Sequence, residues 1–396
     1  MAADATGDVI VIGLGAFGSA TACQLARRDA SVLGIDRHAP PHDFGSSHGA
    51  TRITRLAIGE GEVYVPFVRR SHAIWRELEA TTGASLYQAT GGLVMGRPDA
   101  ASSHLHKPDF VRRTIDVARR HGIAHELLDA AAIRARFPPF AVEDDVLGYY
   151  EPEAGVLRPE ACIAAQLDEA RRLGARLFMD ERVEAIEAAP GGVEVRTDRG
   201  RYAAARAVVT AGAWVPGMVG GPWAKRLRVM RQVLHWFRPV DPAPYAAGRM
   251  PVFIWMHGRG DDDSMYGFPM VDGHPGVKVA TEQYRETTDP DALVRAVSAE
   301  ETAAMFERHV QGRLRGLTAE CVHAASCLYT VSEDAGFVID RHPSLEHVTV
   351  VSACSGHGFK HSAAIGEALA ARLCGSDEGS LRPFSLARFG AASAAA

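Results

Sequence analysis

Three glycines and an acidic residue beyond them are the first chemistry the sequence offers. Gly13, Gly15 and Gly18 form GxGxxG directly after an apolar run at residues 9–12 and directly before a helix-like stretch. In such a loop the first glycine permits a tight turn, the second lets a pyrophosphate approach the backbone, and the third packs helix on strand. The amides at the helix N-terminus then face the phosphates. Asp36 closes the next strand about 20 residues on, where a carboxylate accepts hydrogen bonds from an adenosine ribose. The loop alone does not separate NAD from FAD. Two later segments favour FAD: ARAVVTAGAW (205–214), an apolar strand ending at Gly212, and SGHGFKHSAAIGEALAARL (355–373), a glycine turn opening a long helix. The amides around Gly356, His357 and Gly358, with the helix dipole, suit the edge of a reduced flavin where negative charge develops. A plain capped helix is the alternative for that segment.

These residues must be held by a recognisable frame. Residues 8–36 read as strand, glycine turn, helix and strand, a βαβ half-unit. The turn-rich stretch HAPPHDFGSSHGATR leads to a helix expected over 63–79, with Trp75 and Leu78 on one side. Residues 86–150 hold short strand-like runs such as GGLVMG and an amphipathic helix near 109–121. Alternation of helix and strand resumes with a helix over 159–173, strand ARLFM, a VEAIEAA/VEVRT hairpin about Gly191 and Gly192, and ARAVVTAGAW. Residues 217–320 differ again, with VLHWFRP, PVFIWM and a helix from about 298 to 313. The chain then returns to strand VTVVSA, the glycine turn and a helix over 361–373. The fold class expected is α/β (α+β). A discontinuous Rossmann-type cofactor domain (1–85, 150–216, 321–390) is interrupted twice by a second domain (86–149, 217–320), and the alanine-rich tail 391–396 is expected to be disordered.

Composition bounds the function. The 396 residues are 47% hydrophobic and 23% charged, an ordinary globular balance. A net charge of -5 and a pI near 6.4 give no global footprint for nucleic acid, so none is expected as a partner. The apolar run at 9–12 is too short for a signal-peptide core, and no run reaches a membrane span, so a soluble protein without a membrane partner is expected. Cys23, Cys162, Cys321, Cys327, Cys354 and Cys374 show no CxxC spacing, and no HExxH occurs. Reduced thiols, a cytoplasmic location and no metal are the expectations.

DVIVIGLGAFGSA, PPHDFGSSHGATRITR, EGEVYVPFVRRSHAIWRELE, GGLVMG, YEPEAGVLRPE, YGFP, GVKVA, SCLYT, GFVIDRHP and CSGHGFKHSAAIGE occur in order along the chain. In order and spacing they closely resemble the monomeric sarcosine oxidase and N-methyltryptophan oxidase family, over nearly the whole chain. SHGxTRIxR and CSGHGFK are far more specific than GxGxxG. The resemblance implies the FAD fold shared with D-amino-acid oxidase, with a mixed sheet in the inserted domain roofing the substrate. It implies a monomer that oxidises the C–N bond of a secondary amino acid to an imine, which water hydrolyses, while oxygen becomes hydrogen peroxide.

Roles carry over residue by residue from that resemblance. Cys327 matches the cysteine joined to the flavin 8α-methyl as a thioether. Lys278 matches a lysine held near N5 through water, where a cation would stabilise superoxide as it forms. His48 and Arg52 match positions beside the flavin ring, and Ser46, Thr51, Val183 and Lys360 match further cofactor contacts. Arg55 and Lys360 match the pair gripping the substrate carboxylate, two cations expected to face the cavity uncompensated until that carboxylate arrives. Tyr266 and Tyr329 match aromatic cavity residues. One departure stands out: Glu282 occupies the place, four residues after the lysine, where sarcosine oxidases commonly have histidine. A carboxylate there would favour the cationic form of the substrate amine. Two other readings are a dehydrogenase of the same fold passing electrons to a quinone or carrier protein, and a catalytically silent binding protein.

Overall fold

The computed structural model describes residues 3–98, 109–271, 273–376 and 379–391, so the 391–396 tail lies outside the described residues except for Ala391. Strand Ala5–Ile12 runs parallel to Val32–Ile35 on one side and to Arg201–Val209 on the other. Its residues 9–12 are all buried, the mark of a strand covered on both faces. Helix Ala16–Ala26 packs on one face against helices Pro159–Arg172 and Ser362–Leu373. The expected glycine roles are visible in the packing. Gly13 takes a φ of 86°, and a Cβ on Gly18 would lie 1.8 Å from Gly13 O and 2.7 Å from Thr210 Oγ1. Any side chain at Gly18 would push the helix off the strand. Arg176–Phe178, Val348–Ser352, Val338–Arg341 and the hairpin Val183–Ala189/Gly192–Thr197 complete this eight-stranded sheet.

A second eight-stranded sheet runs in the order Leu317–Ser332, Leu227–Pro239, Val277–Ala280, Ser264–Gly267, Val252–Met256, Gly92–Gly96, Leu147–Glu151 and Glu126–Leu128. It is mixed, because Val252–Met256 pairs in parallel with Gly92–Gly96 and the remaining neighbours are antiparallel. Alternation along the strands separates two faces. Phe237, Val277, Val279 and Trp255 enter an apolar cluster with Ile133, Met305 and Val310. Trp236 and Lys278 lie on the other face, where the Lys278 ammonium stands 5.2 Å from the Trp236 ring centre and bonds to Gly49 and Thr51. A small sheet of Arg52–Thr54, Gly155–Leu157 and Tyr87–Ala89 is interleaved with both larger sheets in sequence, and its first strand begins at Arg52, the last residue of SHGATR.

Several boundaries differ from expectation. The 205–214 strand stops pairing at Val209, because the chain turns at Gly212 (φ 53°) into a short helical turn, Gly212–Trp214. The 63–79 helix begins at Val65, behind a 3₁₀ turn at Glu62–Tyr64, and runs to Thr82. The 298–313 helix is α only over Ala299–Met305, started by a Ser298/Glu301 capping box. It then widens into the π turn Phe306–Val310, which seats His309 and Val310 in the interior. The sheet boundaries fall elsewhere than 149/150 and 320/321. Leu147–Glu151 and all of Leu317–Ser332 pair within the second sheet, so Cys327 and Tyr329 belong to the roof and not to the cofactor sheet.

Candidate active site

A cavity of about 980 Å³ lies between the two sheets. Of the residues singled out in the sequence, all but Gly18, His48 and Cys327 line it. At one end are the glycine loop and Asp36. Asp36 Oδ2 accepts from Leu14 N at 2.6 Å and Oδ1 accepts from His38 N at 2.8 Å, so the carboxylate braces the turn and keeps lone pairs for a ribose. A Cβ at Gly15 would meet nothing nearer than Ser47 Oγ at 3.9 Å, leaving a backbone cradle open to a pyrophosphate. A strap from the second sheet's side, residues 287–291, closes over this end. Its Asp291 Oδ1 accepts from Arg37 Nη1 at 2.5 Å and Trp214 Nε1 at 2.8 Å.

The middle of the cavity is a cluster of cations on backbone carbonyls. Lys278 Nζ donates to Gly49 O (2.8 Å), Thr51 O (3.1 Å) and Thr51 Oγ1 (3.2 Å), and lies 4.7 Å from the Phe268 ring centre. Burial, reinforced by the Arg52 charge, holds its pKa well below the ordinary lysine range. Arg52 donates to Ser46 O at 2.7 Å and Thr51 O at 2.8 Å, and its Nη2 stands 3.8 Å from Cys327 Sγ. Cys327 is buried just behind that wall, with Sγ 3.6 Å from Ser46 O. His48 is neutral: burial and Arg52 push its pKa down to about 4. Its Nε2 and Ser46 Oγ are buried with no hydrogen-bond partner among the described residues. Two orphaned polar atoms beside a guanidinium fit the polar edge of a flavin ring, where such groups find partners.

At the far end stand Arg55, Lys360, Tyr266, Tyr329 and Glu282. The structure corrects the expectation of uncompensated cations. Arg55 Nη2 pairs with Glu60 Oε2 at 2.6 Å, Nη1 donates to Ala57 O, and the guanidinium lies over Phe110. The cause is the return of residues 56–60 toward the strand that precedes them. Glu151 fixes that return by accepting from Leu56 N (2.5 Å), Ala57 N (3.1 Å) and Tyr149 Oη (2.8 Å). Lys360 Nζ is buried and donates to His357 O at 2.7 Å. Tyr266 and Tyr329 share a hydrogen bond, and burial raises the pKa of both.

Sequence reasoning did not single out Glu60, Glu151 or Tyr284. Glu60 had a signal, an acid in the same turn as an expected carboxylate clamp. Glu151 had none, because the two backbone amides it holds lie 94 and 95 positions away.

A glycine cradle for a dinucleotide, a roofing sheet and cations lining one cavity define the class of a dinucleotide-dependent oxidoreductase. The chain belongs to the DAO family of FAD dependent oxidoreductases, whose profile matches residues 8–372. It is 38% identical to the monomeric sarcosine oxidase of Streptomyces avermitilis, over 92% of this chain and 93% of that one. It is 35% identical to the N-methyl-L-tryptophan oxidase of Salmonella arizonae, over 96% and 99% respectively. Among solved structures it resembles NikD, an amino acid oxidase of nikkomycin biosynthesis, with a TM-score of 0.80 at 24% identity, covering 94% of this chain and 95% of that one. That last likeness concerns the fold. No helix among the described residues is long and apolar enough to cross a membrane.

Proposed function

We propose that this protein oxidises the C–N bond of a secondary amino acid, N-methylated or cyclic, to an imine, and returns the electrons to oxygen as hydrogen peroxide. The observation that carries the reading is the convergence of Arg55 and Lys360 on the cavity that also contains the glycine loop and Lys278. When bound, FAD supplies the two-electron acceptor that later reduces oxygen. The names of the relatives support the same substrate class.

Gly13, Gly15 and Asp36 hold the dinucleotide end of the cofactor, and Arg52, His48 and the Gly356–Gly358 turn surround its ring. Lys360 and Arg55 take the substrate carboxylate, Arg55 exchanging Glu60 for it. Tyr266 and Tyr329 wall the cavity against bulk water, and Lys278 places a proton-bearing group where charge develops on oxygen. Cys327 is the attachment point of the flavin: its Sγ lies 3.8 Å from Arg52 Nη2 and 3.6 Å from Ser46 O, beside the residues that would surround the ring. The protein acts as a monomer on a small molecule in the cytoplasm.

The test is a screen of sarcosine, N-methyltryptophan, other N-methyl amino acids, proline and pipecolate, following oxygen and peroxide together. Peroxide in step with oxygen consumption is expected. Turnover with a quinone or dye but not with oxygen would reject the oxidase reading in favour of a dehydrogenase.

A further inference from the structure

Two carboxylates line the far end: Glu60, which is paired with Arg55, and Glu282. Glu282 follows the strand Val277–Ala280 and lines the cavity. Its position is built, because the neighbouring Gln283 is pinned from several sides. Gln283 N donates to Gln232 Oε1 (3.0 Å) while Gln232 Nε2 donates to Gln283 O (2.7 Å), and Gln283 Nε2 donates to Arg231 O (2.8 Å). Tyr284 Oη donates to Glu282 Oε2 at 3.1 Å. The other carboxylate oxygen reaches the glycine turn: a Cβ on Gly356 would lie 3.2 Å from Glu282 Oε1 and 3.0 Å from the Tyr329 ring. Gly356, at a φ of 77°, therefore lets a carboxylate and an aromatic face close on the same point. Lys360 stands on the same turn, in the 3₁₀ segment Phe359–His361.

The turn that carries Lys360 meets Glu282 at Gly356, so a cation and an anion from two segments line one cavity, where Arg55 is paired with Glu60. An amino acid in its zwitterionic form carries the complementary pair, a carboxylate and an ammonium separated by a single carbon. Charge-assisted hydrogen bonds are stronger than neutral ones, so this pattern discriminates by charge. We propose that Glu282 is the specificity-determining residue for the amine end of the substrate, and that this protein binds its secondary amino acid with the amine as an ammonium ion. The inference rests on the amino-acid oxidase reading and adds the charge state and the residue that selects it. Glu282 would also tighten binding of substrates whose nitrogen is a strong base over those with weakly basic nitrogen.

Two carboxylates that flavin cannot oxidise at nitrogen provide the test. (Methylthio)acetate has a neutral sulfur where the amine would be, and dimethylsulfonioacetate has a permanent positive charge there at nearly the same size. Each is titrated into the FAD-loaded protein and followed by the visible flavin spectrum. The sulfonium acid is expected to bind at least about tenfold more tightly than the thioether to wild type. In Glu282→Gln, which keeps the shape and loses the charge, that ratio is expected to fall at least about fivefold. Glu282→His is a second variant and should reverse the preference. Tyr284→Phe, which leaves the carboxylate in place, should keep it. A ratio unchanged by both Glu282 substitutions, with either probe still binding, would overturn the role of Glu282 and leave the oxidase reading intact. If neither probe binds and no amino acid reduces the flavin, the underlying reading fails and the inference with it.

Discussion

Arg55 Nη2 lies 2.6 Å from Glu60 Oε2, and both side chains are almost entirely removed from solvent. The guanidinium proposed to take a substrate carboxylate is thus paired with a carboxylate of the protein. In that proposal the substrate binds by exchange with Glu60, which keeps the buried guanidinium paired.

Glu60→Gln removes the competing charge. Ligands bearing a carboxylate are expected to bind about tenfold more tightly, and the ligand-free protein to lose on the order of 3 kcal/mol because Arg55 is left unpaired. Saturating carboxylate should restore much of that loss. Titration of the flavin spectrum and thermal unfolding with and without ligand measure both. Weaker binding in the variant would mean that Glu60 assists the substrate instead of yielding to it.

Arg55→Ala and Lys360→Ala should each remove most of the preference for a free acid over its methyl ester. An ester cannot take the place of Glu60 on Arg55, and the charge-assisted hydrogen bonds it forgoes are worth about 1.5–3 kcal/mol each. The ratio of kcat/KM for acid and ester reports this directly. Esters and acids turned over alike by wild type would place the clamp elsewhere.

Lys278→Met should slow reoxidation by oxygen by roughly 3 kcal/mol or more, the scale of a preorganised electrostatic group. Because burial and Arg52 depress the Lys278 pKa, its ammonium is lost as pH rises through a value well below 10.5. Oxygen reactivity in wild type should accordingly decline on the alkaline side earlier than an ordinary lysine would dictate. Stopped-flow reoxidation across pH follows it, and a near wild-type rate in Lys278→Met would remove the assignment.

Acid-denatured wild type should keep its yellow colour and its flavin fluorescence in a denaturing gel, and Cys327→Ser should hold FAD only reversibly. Colour that washes out of flavin-loaded, unfolded wild type would show that the thiol, buried beside Arg52, forms no bond to the cofactor.

Four buried histidines, His48, His72, His235 and His309, have pKa values lowered from 6.5 to about 4, chiefly by burial. A depressed folded-state pKa contributes stability that is complete above 6.5 and is lost as pH falls through about 4. Each accounts for at most on the order of 3 kcal/mol. Urea unfolding at pH 7 and pH 4.5 should show a steep loss. His235, whose ring nitrogens have no hydrogen-bond partner among the described residues, stacks on Phe237 away from the cavity. His235→Phe should lessen the loss at pH 4.5 without altering flavin binding, and an unchanged pH dependence would assign the acid lability to other groups.

The sequence by itself determined what depends on neighbours along the chain. The glycine turn between residues 12 and 19, the hairpin about Gly191 and the helices after Pro159 and His361 follow from local patterns of period two or 3.6 and from backbone positions that only glycine fills. So did the family, because its motifs are short and ordered. The tertiary structure decided what depends on residues far apart. By its place in the chain the SCLYT strand reads as part of the cofactor domain, and only its pairing with Leu227–Pro239 placed Cys327 and Tyr329 in the roof. Glu151 became visible as the brace of the Arg55 turn through amides 94 and 95 positions earlier. Glu60 was near Arg55 in sequence from the start, yet an isolated pair of opposite charges five residues apart is ordinarily solvated. Burial on both sides, which no local pattern encodes, turned that pair into a desolvated one on the cavity wall.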